Sequence, residues 1–251
     1  MNVVVTGGGT IAPIDDVRHI ANTSSGRFSA EITEAFLCRG ATVWHVHGPA
    51  AILPFERQRL LSLTDPDLDR ELARLRGLRQ EIERLRGRLH CRDIASGTVA
   101  AYARTLREVF HAQRIDIAVL AMAASDYEPE RARGKISSDR DEWTLTLHRT
   151  PKVIRSVRGW APDVFLVGFK LLFAVSDDEL IATAREACKS SSADLTVAND
   201  LFGKQRGLHK VHVVDREQLI ETIGPGETIA ARLVDRILTQ FDGARGAGVG
   251  Q

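Results

Sequence analysis

A β-branched run, Val3 to Thr6, is followed at once by three glycines, Gly7 to Gly9, and this junction constrains the chain more than any other stretch. The run reads as a buried strand. The glycines let the chain turn tightly and present backbone N–H groups. A polar loop, Asp15 to Ser25, comes next, and a helix pattern begins at about Gly26. A strand, a glycine turn and a polar segment ahead of a helix form an anion cradle. Later segments must complete or cover it.

The same pattern repeats downstream. Val43 to His47 reads as a second strand. Ile115 to Met122, IDIAVLAM, is a near-continuous apolar run of the kind that a strand buried on both faces requires. Val164 to Phe169 and Leu195 to Ala198 are similar. Helical patterns fall between them, at Ser29 to Arg39, Thr98 to Phe110, Asp177 to Lys189 and Thr228 to Phe241. This alternation predicts an α/β fold, Rossmann-like and doubly wound, with a mainly parallel sheet and helices on both faces. One domain is expected over 1–242, with a disordered glycine-rich tail over 243–251. Trp143 to His148 alternates apolar and polar, as a half-exposed antiparallel strand does, and Val211 to Val214 suits a late strand.

One segment departs from this pattern. Leu68, Leu72, Leu75, Leu78, Ile82, Leu85 and Leu89 form a heptad-like seam among arginines and glutamates. Such spacing suits a surface helix packed on its own domain, or an arm that meets another helix or subunit. The expectation is a helical arm over 67–88 that projects from the sheet.

Charge and cysteine usage narrow the function classes. Lys+Arg number 34 against 33 Asp+Glu, so nothing calls for nucleic acid or a membrane surface as a partner. No apolar run approaches the roughly 18 residues of a membrane span. Cys38, Cys91 and Cys188 are far apart with no CxxC, and read as reduced thiols of a cytoplasmic protein. Met1 leads straight into the first strand, so no signal peptide is expected.

The spacing Gly7-x-Gly9-x-x-Ala12 fits a relaxed dinucleotide fingerprint. Against NAD(P), the second strand ends in VWHVHGP without an acid for a ribose, and Pro13 stands where the usual helix would run. No Tyr-x-x-x-Lys pair occurs, since Tyr102 is followed by Leu106 and Tyr127 by Arg131. An NAD(P)-dependent oxidoreductase is therefore the alternative reading, beside a non-catalytic nucleotide-binding protein. In the polar loop, Ser24 or Ser25 can cap the next helix; the same hydroxyls with Gly26 and Arg18 suit a phosphate, and the Asn22 amide suits a carboxylate or acyl oxygen. After the third strand, Ala123 and Ala124 let a flat ring approach the backbone. Asp126 there can accept from a ribose or base, hold a metal, or cap a turn. Lys135, beside Gly134 in a polar loop, can cover a nucleotide or simply meet solvent. His45 and His47, like His209 and His212, lack a third ligand and read as strand-end histidines.

Taken together, TGGGTIAPIDDVRHIANTSSGR, AMAASDY, GKISS, VGFKLL and ADLTVAND resemble phosphopantothenate–cysteine ligase (phosphopantothenoylcysteine synthetase). The motifs stand in family order from Val3 to Asp200 and are most similar to the stand-alone bacterial type, without a fused flavin-dependent decarboxylase. The resemblance implies a step of coenzyme A synthesis. CTP or ATP activates the carboxylate of 4'-phosphopantothenate, pyrophosphate leaves, and L-cysteine attacks the acyl-nucleotidyl intermediate; magnesium is required. It also implies a homodimer formed through a small antiparallel sheet region, which Trp143 to His148 would supply.

By position, the resemblance assigns Asn22 and Lys135 as catalytic, and Arg18 with Asn22 to the substrate. Gly8, Gly9, Ser25, Gly26, Met122, Ala123, Ala124, Asp126, Phe169 and Lys170 fall to the nucleotide, and Asn199 and Asp200 match the AND motif. Metal ligands stay unassigned. Two departures stand out. The flap reads KISS, without the family's later lysines, and the family's KNPDI reads RTPKV, Arg149 to Val153.

Overall fold

The computed structural model describes residues 1–59, 67–139, 141–225 and 228–248. In chain order, β1 (Asn2–Gly7) leads into a hairpin of β2 (Ile11–Pro13) and β3 (His19–Ala21), then α1 (Arg27–Cys38) and β4 (Thr42–His47). A 3-10 turn over Glu56–Arg59 precedes α2 (Leu68–Arg84), β5 (Leu89–Asp93), α3 (Val99–Ala112) and β6 (Ile117–Leu120). A second pair, β7 (Tyr127–Pro129) and β8 (Leu147–Arg149), is followed by α4 (Val153–Trp160), β9 (Phe165–Leu172), α5 (Asp177–Ser191) and β10 (Leu195–Asp200). The chain closes with α6 (Leu201–Gln205), β11 (Val211–Val214), β12 (Leu219–Ile223) and α7 (Ile229–Gly248).

Eight of these strands form one sheet in the order β12-β11-β10-β9-β6-β1-β4-β5. The six from β10 to β5 run parallel, and β11 and β12 add an antiparallel edge. The order reverses at β1: the chain first winds toward β4 and β5, then returns to β6 on the other side. In open α/β sheets a crevice forms beyond the strand ends at such a switch point.

The strand runs are apolar throughout because both faces are covered. Successive side chains point to opposite faces. Val3 and Val5 join one buried cluster with Phe36 of α1 and Leu233 of α7, while Val4 joins another with Leu106 of α3 and Val157 of α4. Leu180 and Ala184 of α5 pack with Ala198 and Val214. The expected layering, helices on both faces of a mainly parallel sheet, is the one observed.

Several local expectations are corrected. No helix follows the glycines; the β2–β3 hairpin intervenes, with Pro13 at its end, and β3 lies inside the stretch read as loop. The N-cap of α1 is Gly26, in the left-handed region at φ 71°, rather than Ser24 or Ser25; Ser25 beside it accepts a long bond from Arg27 N at 3.4 Å. Trp143 to His148 is a strand only from Leu147, because its partner β7 is three residues long. The seam of α2 does not project. Leu78 and Leu85 are buried in the same cluster as Phe36, and Ile82 packs against it, so the apolar stripe meets its own domain. Residues 60–66, which lead into this helix, lie outside the described residues, as do 249–251. The expected disordered tail is helical in α7 as far as Gly248.

Candidate active site

A cleft of about 530 Å³ opens at the carboxyl ends of β1, β6, β9 and β10. Its floor is built by close backbone approach. Past the end of β1, Gly9 bridges to Ala123, while the Ala123 N–H donates to the Gly8 carbonyl at 2.9 Å. Gly8 has φ +80° and Gly26 φ +71°, a region that favours glycine. A Cβ on Gly8 would lie 2.6 Å from the Ala51 Cβ, and one on Gly26 2.9 Å from the same atom and 3.2 Å from the Gly8 nitrogen. The turn and the start of α1 thus fit only without side chains. The N-terminus of α1 faces this turn; its Gly26 N-cap makes no side-chain cap, Arg27 N makes only a long bond to Ser25 Oγ, and the helix dipole favours an anion.

Most of the residues singled out in the sequence meet in this cleft. Gly8, Asn22, Ser25 and Gly26 line it from the β1–α1 side. Met122, Ala123, Ala124 and Asp126 come from the end of β6, and Phe169 and Lys170 from β9. Asn22 is exposed and donates one Nδ2–H to the Ala123 carbonyl at 3.1 Å. An amide nitrogen carries two hydrogens, so the second stays available to an oxygen in the cleft. Phe169 packs edge-on to Phe28, ring centres 6.1 Å apart, and the two form an apolar wall.

Gly9, Arg18 and Lys135 are outside the lining. Gly9 lies beneath it, where a Cβ would come within 2.8 Å of the Asn22 carbonyl oxygen. Arg18 donates through Nε and Nη2 to Asp15, at 3.0 and 2.7 Å, and through Nη2 to the Ile136 carbonyl, and its guanidinium lies 4.9 Å from the Trp143 ring centre. These bonds use Nε and Nη2 and leave Nη1. Lys135 is exposed. Its neighbours are fastened: Gly134 N donates to Asp16 at 2.9 Å and Ile136 N to Asp15 at 3.1 Å. Burial works to raise the Asp15 pKa, but bonds from Arg18 and from the Val17, Ile136 and Arg18 amides outweigh it and hold the carboxyl well below the usual range. For Asp16 the Arg131 guanidinium is the main cause of a lowered pKa, followed by the Gly134 amide. The polar loop is therefore latched on both sides of Lys135.

Sequence reasoning missed other cleft residues. Lys152 lines the cleft and forms an ion pair with Asp126. Its signal was present, in the RTPKV stretch noted only for what it lacks. Arg27 and Lys204 also line the cleft, and no motif marked Lys204. Asn199 lines it too, whereas Asp200 caps α6 by accepting from Gly203 N at 2.8 Å. Among the described residues, Lys152 is the cleft cation seen in an ion pair, and Glu31 acts on Lys204 through its charge. The cleft thus offers cations, N–H donors and a flat apolar wall, which suit a phosphorylated ligand bearing an aromatic base.

His45 is structural. His45 is buried in β4, its Nδ1 2.8 Å from the Thr33 hydroxyl, and burial pushes its pKa down to about 3, so it stays neutral. Among the described residues, no cluster of three or more His, Cys, Asp and Glu is placed to hold a metal ion. No described helix is long and apolar enough to cross a membrane.

The family model for the DNA/pantothenate metabolism flavoprotein C-terminal domain matches residues 1–65 and 92–240. The gap between the two matched segments contains α2. The chain is 31% identical over 218 residues to the coenzyme A biosynthesis bifunctional protein CoaBC of Thermococcus kodakarensis, covering 86% of this chain and 45% of that protein. It thus spans about half the length of such bifunctional relatives. It is also 31% identical to the human phosphopantothenate–cysteine ligase, over 94% of this chain and 84% of that one. A crystal structure of the DNA/pantothenate metabolism flavoprotein from Streptococcus pneumoniae superposes with a TM-score of 0.75 at 29% identity, covering 95% of this chain and 99% of that one.

Proposed function

The chain belongs to the family of the DNA/pantothenate metabolism flavoprotein C-terminal domain, and on that premise we propose that it is a ligase joining 4'-phosphopantothenate to L-cysteine in coenzyme A biosynthesis. The observation that carries this reading is the convergence of Asn22, the Ser25-Gly26 turn and the cations Arg27, Lys170 and Lys204 in one cleft.

In the first half-reaction, a carboxylate oxygen of phosphopantothenate forms a bond to the α-phosphorus of CTP or ATP, and pyrophosphate departs. The α1 N-terminus and the cleft cations offset the charge that gathers on the phosphates. In the second, the cysteine amine attacks the acyl carbonyl and the nucleoside monophosphate leaves with the acyl oxygen. The free Nδ2–H of Asn22 is placed to hold the carbonyl oxygen as charge develops on it. Phe169 and the small residues Ala123 and Ala124 accept the base, and Asp126 the ribose or base edge. Lys135 closes over the phosphates from the latched flap, and Nη1 of Arg18 is assigned to the substrate phosphate.

Magnesium fits as a companion of the triphosphate. Mg²⁺ is commonly held by phosphate oxygens, waters and one or two carboxylates, and Asp126 is the acid lining this cleft. When bound, the ion would neutralise phosphate charge. The working form is proposed to be a cytoplasmic homodimer. The oxidoreductase alternative lacks support: β4 ends at His47 without an acid, and Tyr102 is buried with its hydroxyl 3.1 Å from that of Thr6.

The deciding experiment incubates the chain with phosphopantothenate, cysteine, magnesium and either CTP or ATP. Release of pyrophosphate with one of them is expected. Absence of release with both refutes the ligase reading, and nucleotide binding without turnover would leave a binding protein.

A further inference from the structure

Lys204 lies on α6, beyond the last family motif, yet its side chain lines the cleft. The flap lysine, Lys135, does not, and the flap lacks its later lysines. Of the other cleft lysines, Lys152 is engaged by Asp126, and Lys170 extends from β9. Part of the cleft's positive charge is thus supplied from the segment after β10.

The surroundings of Lys204 indicate what it receives. Burial pushes its pKa down; of the two charges that act on it, Glu31, one turn further along α1, opposes this more strongly than Arg27 adds to it. His209 is nearby, and burial first, then Lys204, lowers its pKa too, which keeps the imidazole neutral. Lys204 is exposed to the open cleft beside a second cation, Arg27, and the two like charges repel. An anion docking between Lys204 and Arg27 relieves that repulsion. Both cations adjoin the start of α1, where the Ser25-Gly26 turn presents N–H groups.

Resting on the ligase reading, we propose that Lys204 binds the β- and γ-phosphates of the nucleoside triphosphate and holds the pyrophosphate as it leaves. When the carboxylate oxygen bonds to the α-phosphorus, the bond from that phosphorus to the α–β bridging oxygen breaks. Its electron pair stays on the pyrophosphate, and Lys204 with Arg27 meets the charge so gained. Lys204 thus does from α6 what a flap of several lysines would otherwise do.

The test is calorimetric titration of the whole chain with inorganic pyrophosphate, with CTP and ATP, and with CMP and AMP as controls that lack β- and γ-phosphates. Lys204→Met should weaken pyrophosphate and triphosphate binding about tenfold, ~1.4 kcal/mol. Monophosphate affinity should stay within about twofold, and Lys204→Arg should restore most of the loss. Equal pyrophosphate affinity in wild type and Lys204→Met overturns the proposal, as does an equal loss of monophosphate binding. The titration needs no turnover. A chain without ligase activity that still binds pyrophosphate through Lys204 loses the ligase reading alone, whereas an active chain indifferent to Lys204→Met loses only this one.

Discussion

Lys152 donates from its ammonium to Oδ1 of Asp126 at the rim of the cleft. The pair is set by the backbone beside it. Thr150 N donates to the Asp126 carbonyl at 2.9 Å, and the Tyr127–Arg149 register of β7 and β8 holds the two segments together. Both side chains are about half exposed, at 50% and 55%, so the pair adds roughly 0–1 kcal/mol to stability. Its importance lies in ligand binding. Lys152→Ala would leave an unneutralised carboxylate facing a polyanion. Nucleotide affinity should fall about tenfold (~1.4 kcal/mol), with the melting temperature nearly unchanged and with recovery in Lys152→Arg. Nucleotide titration beside a thermal melt checks this; unchanged affinity would leave the pair without a role in binding.

Asn22 offers a sharper kinetic signature. With one Nδ2–H on the Ala123 carbonyl and the other free, it resembles a half-used oxyanion donor. Losing one such donor costs about 10²–10³ in rate. Asn22→Ala should therefore slow amide formation by that factor while the first pyrophosphate burst survives. Rapid-quench analysis should find the acyl-nucleotidyl intermediate accumulating. A mutant that turns over at the wild-type rate has no such donor at position 22.

Gly26 tests the cradle itself. An alanine there must adopt φ +71°, which costs roughly 1–2 kcal/mol in the left-handed region, and its Cβ meets Ala51 at 2.9 Å. Gly26→Ala should lower stability by more than the conformational cost alone and abolish triphosphate binding. Adding Ala51→Gly removes the closest contact but neither the 3.2 Å approach to the Gly8 nitrogen nor the strain, so the double mutant should recover part of the stability. Denaturant melts of both proteins separate the two contributions.

The Asp15 latch predicts a pH dependence with a definite sign. Its folded-state pKa is below the ordinary value of 3.8, so the unfolded chain binds the proton more readily. The contribution is complete above about pH 4 and is lost as pH falls through the folded value. Hydrogen exchange of the Gly134–Ile136 amides, corrected for intrinsic rates, should be flat from pH 8 to 5 and rise in acid. Asp15→Asn should raise exchange of the Ile136 amide across the whole range and erase its acid step, while the Gly134 amide, held by Asp16, keeps its own. A steady slope between pH 5 and 8 would mean that another group controls the latch.

The fold was legible because burial on both faces writes itself into composition: Val3, Val4 and Val5 serve two opposite cores. The strand-end residues Met122 to Asp126 were legible for a related reason, since parallel sheets bind ligands past their carboxyl ends. What stayed hidden depended on partners distant in sequence. The leucines of α2 define a stripe but not what it faces, and the structure turns Leu78 and Leu85 onto the core of their own domain. Trp143 had strand alternation without a strand beside it, and it lies under Arg18 instead. Lys204 enters the cleft only because α6 follows β10 directly, a tertiary fact without a local motif.

The proposed dimer has a candidate face. Val17, Ile20, Tyr127 and Leu147 expose 38 to 62% of their surface. They belong to the β2–β3 hairpin, its connecting turn, and the β7–β8 pair, and β2 lies against β7. Isolated exposed apolar residues are ordinary, but a group on adjoining hairpins marks an interaction surface. The same hairpins carry Asp15, Asp16 and Arg18, which hold the flap, so a second copy seated there would border both flaps. Sedimentation should show a dimer for the wild type and a shift toward monomer for Leu147→Asp, whose side chain is 43% exposed and makes no core contact to lose. Monomer and dimer should unfold at different temperatures, and the wild-type melt should rise with concentration. A wild type that sediments as a monomer at micromolar concentration would remove the dimer from the mechanism. A Leu147→Asp protein that stays dimeric would move the interface elsewhere.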